Sequence, residues 1–211
     1  MVAPYLLATF SAIFFVVDPI AVVPIFLAMT PQDDDTKRSS MAFRAALVSG
    51  GVLVLFTLAG TLVFRLFGLT LPAFKVAGGL LLLLTSLDQL RSHSASTRTS
   101  GEEVKEGQAK DDIAIVPLGV PLLTGPGSIA TVMVLAADAT EAWQTVAILG
   151  SIVLTSLLSW GSLHAATRID HLLGATGKAV FLRIAGLLLA ALAVQFMMSG
   201  LGEAFPALVG K

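Results

Sequence analysis

Apolar runs close to a bilayer's width alternate with short polar stretches along the whole chain. A helix rises about 1.5 Å per residue, so roughly 20 apolar residues cross the hydrocarbon. Six stretches meet or approach that length: 3–29, 45–64, 74–90, 113–137, 144–167 and 184–202. The first is uncharged apart from Asp18, and the fourth and fifth carry no formal charge. The one long polar stretch, SHSASTRTSGEEVKEGQAKDD at 92–112, predicts a solvated, mobile linker. The pattern therefore predicts an all-α membrane protein of six transmembrane helices. Residues 1–91 form one three-span unit, 92–112 the polar linker and 113–211 a second three-span unit.

Composition narrows the class. Apolar residues make up 55% of 211 and charged residues 13%, against about 25% charged in soluble domains. A soluble fold of this length has too little other protein to cover six such stretches. A net charge of −1 is unsuited to a phosphate backbone, so nucleic acid is not expected as a partner. The absence of cysteine excludes disulfides, thiolate metal sites and cysteine nucleophiles.

The few charges orient the chain. Ten of the thirteen Lys and Arg fall in the 1–2 connection, the linker and the 5–6 connection; only Arg65, Lys75 and Lys211 lie on the other side. The positive-inside bias then places the linker in the cytoplasm and both termini outside, in a cytoplasmic (inner) membrane.

The two units are similar in sequence. At an offset of 107, Asp18-Pro19 aligns with Gly125-Pro126, and within one residue FKVAGGLLLLL from Phe74 falls on LRIAGLLLAAL from Leu182. An odd number of crossings per unit gives the two copies opposite directions, so an inverted repeat is expected. Secondary transporters use that arrangement, with sites at the repeat interface near the midplane.

Spans one and four are expected to be broken. FFVVDPIAVVP sets Asp18 halfway along an apolar stretch, and Pro19 and Pro24 each remove a helical N–H. A buried carboxylate at that depth costs several kcal/mol unless paired, wetted or protonated. PLGVPLLTGPGS holds three prolines and three glycines, which predicts a break at 124–127 and a half-helix starting near Pro126. The N-terminus of such a half-helix suits a carboxylate, and Asp18 is placed to cap its counterpart. The prolines also fit packing kinks, and Asp18 fits a buried cap; neither role excludes a site. Candidate binding residues are Asp18, Pro19, Pro24, Thr124, Gly125, Pro126, Gly127 and Ser128. Gln195, polar and well inside span six, joins them.

These motifs resemble the MarC family of integral membrane proteins, which includes small neutral amino-acid transporters of the SnatA type. The resemblance rests on Asp18-Pro19 with Pro24, Lys75-x-Ala77-Gly78-Gly79 with Asp88, DIAIVPLGVPLLTGPGSIA from Asp112, and Arg183-x-x-Gly186 with Gln195. It covers nearly the whole chain; one departure is Ala21, where the family pattern has glycine. It implies six spans and, for some members, export or exchange of alanine- and glycine-sized amino acids.

The expected function is a secondary transporter of a small zwitterionic solute, coupled to a proton or Na⁺ or working by exchange. No ATP-binding loop, cofactor or metal motif is present in the sequence. A channel or membrane scaffold, working alone or as a homo-oligomer, is the alternative. An intramembrane hydrolase pairing Ser128 with His164 is a further one, but Gly-x-Ser-x-Gly is absent because Ala130 follows Ile129.

Overall fold

The computed structural model describes residues 2–91 and 101–206. Among them the secondary structure is helical, with no strand. Span one is α1 (Val2–Val17) followed by α2 (Pro19–Met29), interrupted at Asp18. Span two is α3 (Asp35–Phe67), and span three is α4 (Leu71–Leu90). α5 (Gly101–Gln108) lies in the linker. Span four is an irregular segment, Ala114–Leu123, followed by α6 (Pro126–Asp138), the two bent by 61°. α7 (Ala142–His164) and α8 (Ala166–Ala204) complete the chain. Five helices are long and apolar enough to span a membrane, and the bent pair makes a sixth.

Large apolar side chains such as Leu55, Leu58, Leu157, Leu187 and Met198 point outward, each more than half exposed. An apolar exterior along several helices is stable in lipid and not in water. The polar groups turn inward instead: Asp18, Ser49, Gln89, Thr124, Ser128 and Thr131 are all buried.

Local chemistry sets the helix ends. Asp34 starts α3 by accepting from the Lys37 amide at 2.7 Å, and Gly68 ends it at φ 64°, a left-handed cap that costs glycine nothing. Thr70 starts α4 in the same way, with Pro72 in the first turn.

The halves make reciprocal contacts. α3 packs on Ala114–Leu123 and α6, while α7 packs on α1 and α2; α6 touches α4, while α2 touches α8. α4 and α8 share the most extensive interface and run antiparallel. Gly200 lies against Pro72, Gly79 against Ala193 and Met197, and Gly186 against Ser86 and Gln89. α3 and α7 are antiparallel too, with Ser39 bonded to His164 at 2.9 Å and Gly50 against Ser156. α3 with α7, and α4 with α8, thus form two antiparallel pairs across the bundle. At one end of the bundle, buried Lys75 joins α4 to Asp138 of α6 (2.7 Å) and Glu203 of α8 (2.6 Å).

Three expectations need correction. The linker is not solvated throughout: α5 docks on α2, with Gly107 buried against Met29 and Gln108 donating to the Ala28 carbonyl at 2.7 Å. Residues 92–100 lie outside the described residues. The 5–6 connection is not a loop, because α8 is already helical from Ala166. It bends at Gly174, where φ is 57° and ψ −170°, and the Lys178–Asp170 ion pair (2.5 Å) spans the bend. Finally, the irregularity of span four extends well before residue 124.

Asp112 holds the chain where it enters the membrane. Its carboxylate accepts from the Ala114 amide at 2.9 Å and pairs with Arg44 of α3. Partial burial raises its pKa, but the Ala114 amide and the Arg44 charge outweigh that and hold it below the ordinary carboxylate value. A depressed carboxyl adds stability above its unfolded-state pKa and loses it as pH falls through the folded-state value. Protection of the Ala114 amide, its exchange measured against the free-chain rate at the same pH, should therefore fall on acidification through that region, and Asp112→Asn should lower it already at neutral pH.

Candidate functional site

Proline dictates the first break. Pro19 has no N–H to donate, so the ladder of α1 ends with the Asp18 amide bonded to the Phe14 carbonyl at 2.8 Å. Asp18 then turns left-handed (φ 49°, ψ 63°), a region that short polar residues tolerate better than most. Pro19 occupies the first position of α2, where its missing donor is harmless. The Asp18 side chain caps that helix, Oδ1 accepting from the Ala21 amide at 3.3 Å. Alanine at 21 is no obstacle, since the group used is its backbone N–H. Pro24, half-buried inside α2, withholds a second donor, from the Ile20 carbonyl.

Asp18 is only 1% exposed. A carboxylate so buried persists only with strong partners, and α4 supplies one: Gln89 Nε2 donates to Asp18 Oδ2 at 2.6 Å.

The second break has the same design with different residues. Leu118 N–H reaches back five residues to the Ile113 carbonyl (3.0 Å), and Thr124 N–H to that of Gly119 (3.1 Å), wider turns than an α-helix makes. Pro117 and Pro121 lie within this segment, and Val116 and Val120 before them are extended. The peptide bonds preceding both prolines are cis. α6 then begins with Gly125 as cap residue and Pro126 at its first position, matching Asp18-Pro19. The Gly125 carbonyl accepts from the Ser128 and Ile129 amides and from Ser128 Oγ (2.9 Å). Thr124 Oγ1 donates to Ser49 Oγ of α3 at 2.7 Å, tying the break to the bundle.

The two breaks lie close together. A Cβ placed on Gly127 would sit 2.9 Å from Leu82 Cδ2 and 3.8 Å from Val16 Cγ1, two residues before Asp18. The first turn of α6 therefore presses on α4 and on the end of α1. Gly127 serves this packing, whereas Gly125 has open space, its nearest neighbour being the Pro121 carbonyl at 3.6 Å. Asp18, Thr124 and Ser128 are buried, Gly125 is half-buried and Pro126 is exposed.

Gln195 lies elsewhere. It is exposed on the outer flank of α8, in a groove shared with Ser11 and Phe15 of α1. Gln89 and Ser49 belong to the site but were not singled out from sequence. Their partners are 71 and 75 residues away, and no local spacing marks such pairs. The Ser128–His164 dyad is not assembled: Ser128 Oγ bonds the Gly125 carbonyl, and His164 Nδ1 bonds Ser39. Among the described residues no group of three or more acidic, His or Cys side chains is arranged to hold a metal.

Residues 3–205 match the MarC family of integral membrane proteins. The chain belongs to the MarC family. It is 34% identical over 197 residues to the UPF0056 membrane protein MJ1677 of Methanocaldococcus jannaschii, covering 93% of this chain and 96% of that one. It is 34% identical over 209 residues to the UPF0056 membrane protein YvbG of Bacillus subtilis, covering 99% of each. With the UPF0056 membrane protein YhcE of Escherichia coli it shares 28% identity over 200 residues, 95% of this chain and 93% of the other. These MarC-like relatives are named as membrane proteins, and their names state no substrate. No solved structure matches the chain.

Proposed function

We propose that this MarC protein is a secondary transporter, an exporter or exchanger of small neutral amino acids such as alanine or glycine across the cytoplasmic membrane. The observation that carries the proposal is a buried carboxylate at one helix break beside a second break that starts with Gly-Pro. Half-helix ends facing a shared space bind both ends of a zwitterion: N-terminal amides hold a carboxylate, and a carboxylate with C-terminal carbonyls holds an ammonium. The first turn of α6, at Gly125, Gly127 and Ser128, takes the solute carboxylate, and Asp18 takes its ammonium. Pro19, Pro24 and Pro126 keep these backbone groups out of the helical ladder, and Thr124 buttresses the second break.

The antiparallel α3/α7 and α4/α8 pairs support an inverted repeat, whose two halves rock about the site to open it alternately to each side. The buried Asp18, Thr124 and Ser128 support a carrier site over an open channel. Ser128 and His164 bond other groups, so that pair gives the hydrolase reading no support. An ion gradient, proton or Na⁺, or exchange of one solute for another supplies the drive. The charge bias supports a cytoplasmic linker with both termini outside.

The test is uptake by proteoliposomes offered a panel of labelled amino acids. Saturable flux of alanine or glycine, with counterflow on preloading, is expected. Non-saturating flux without counterflow would indicate a channel, and no flux of any panel member would refute the proposal.

A further inference from the structure

Between α3 and α7 an apolar groove runs into a polar recess. The groove, about 430 Å³, is lined by Leu47, Gly50, Gly51, Val54, Val153 and Leu157 among others, and Ser156 is its one hydroxyl. The recess, about 600 Å³, has Asp35, Thr36, Ser39, Ser40 and His164 around it. Phe43 and Trp160 line both, their rings edge to face at 6.2 Å. Gly50 lets the helices meet, because a Cβ there would lie 2.6 Å from Ser156 Oγ. Gly51 has no such reason, since a Cβ would meet nothing within 4 Å. Glycine weakens a helix relative to alanine, so the bare backbone at 51 points to an occupant of the groove rather than to protein.

Its dimensions are those of a lipid. Along α3 the rise from Phe43 to Val54 is about 16 Å. The hydrocarbon of one leaflet is about 15 Å deep. Phe43 and Trp160 then fall at the hydrocarbon boundary, where aromatic side chains collect. The recess beyond them lies at headgroup level.

Charge selects the headgroup. The basic side chains of this end of α3 are engaged: Lys37 with Asp33 at 2.7 Å, Arg38 with the Thr30 carbonyl at 3.0 Å, and Arg44 with Asp112. Asp35 has only a long contact, 3.8 Å to Arg38, and its side chain is almost fully exposed. The recess therefore offers a carboxylate to a cation, and the Thr36 and Ser40 hydroxyls as donors to an anion.

We propose that groove and recess together bind one phospholipid whose headgroup carries a primary ammonium. Its acyl chain lies between α3 and α7, its ammonium on Asp35 and its phosphate on the Thr36 and Ser40 hydroxyls. A trimethylated headgroup of equal charge has no N–H to give Asp35, and an anionic one meets a like charge. The lipid bridges the two units at α3, the helix whose Ser49 holds Thr124 of the second break. The site is independent of the transport reading.

The experiment uses the full chain in liposomes with Trp143→Phe, which leaves Trp160 as the sole tryptophan. Fluorescence quenching is titrated with phosphatidylethanolamine, phosphatidylcholine or phosphatidylglycerol, each brominated on its acyl chain. Phosphatidylethanolamine should reach half-maximal quenching at about two- to fivefold lower mole fraction than phosphatidylcholine, the range of an exposed ion pair. Asp35→Asn should make the two lipids equal, and Gly51→Leu, which fills the groove, should do the same. Both positions are exposed, and Asp34 rather than Asp35 caps α3, so the fold is kept. Equal quenching by all three lipids in the Trp143→Phe protein means ordinary boundary lipid only and overturns the proposal. Preference for phosphatidylglycerol, or a phosphatidylethanolamine preference that survives Asp35→Asn, overturns it too.

Discussion

Asp18→Asn is expected to lower amino-acid flux about ten- to hundredfold while leaving the protein inserted and folded. Asparagine keeps the size of the side chain and caps helices about as well as aspartate. It also tolerates the left-handed backbone that residue 18 adopts at φ 49°. What it lacks is the charge, and a hydrogen bond to a charged group is worth about 1.5–3 kcal/mol. The loss should therefore appear in binding and transport rather than in stability. Asp18→Ala separates the two roles, because it also removes the cap to Ala21 and leaves Gln89 Nε2 without its acceptor. That variant should lose about 1 kcal/mol or more of stability as well as flux. Initial rates in proteoliposomes at matched protein content, with melting temperatures in detergent, decide the matter. Wild-type flux in Asp18→Asn would reduce Asp18 to a structural cap.

Gly79→Val should be the most damaging packing change. A Cβ there would lie 2.7 Å from the Ala193 carbonyl oxygen and 2.7 Å from Met197 Cγ. Met197 can swing away, but a backbone carbonyl in the middle of α8 cannot move without the helix. Helices in lipid associate through close packing rather than hydrophobic exclusion, so separating α4 from α8 removes the force that joins them. Overpacking of this kind costs about 1–3 kcal/mol, and the branched side chain falls at its upper end. Because α4 also carries Gln89, the displacement should disturb the Asp18 break. Thermal unfolding should show a clearly lowered midpoint. Gly51→Ala on the exposed side of α3, where an added Cβ meets nothing within 4 Å, should stay near wild type. Equal midpoints for wild type and Gly79→Val would contradict the close packing of the two helices.

These effects show which parts of the structure are local in origin. Spans follow from apolar run length, and the two breaks follow from Pro19 and Pro126, because a proline's lost N–H acts on its own turn. The left-handed backbone of Asp18 has no such local cause, and neither does its bond to Gln89, which depends on how α4 lies against α1. Gln195 illustrates the limit from the other direction. Its depth within the span suggested a site, yet α8 buries the stripe Leu182, Ala185, Gly186, Leu189, Ala193, Phe196 and Gly200, and residue 195 is off it. The helical spacing of that stripe, rather than depth in the span, marks the buried face of α8. The helical stretch after Ala166 has no apolar run to mark it, because charges at 168, 170 and 178 resemble a loop when only apolar length is counted. In α8 those charges lie on helical surface, and Lys178 pairs with Asp170. Residues 114–123 were legible as irregular but not in extent, since three prolines between 117 and 126 fix no single backbone path.

The central claim is that the space beside Gly125 is a solute site reached alternately from both sides of the membrane. The chain contains no cysteine, so Gly125→Cys creates a unique thiol. At φ −76° residue 125 accepts any side chain, and among the described residues its Cβ would meet only the Pro121 carbonyl at 3.6 Å. The measurement is the rate of modification by a membrane-impermeant thiol reagent in vesicles of each orientation, with and without saturating L-alanine. The expected result is labelling from both faces, slowed severalfold by alanine. Labelling from neither face, or at a rate that no amino acid changes, would contradict the claim.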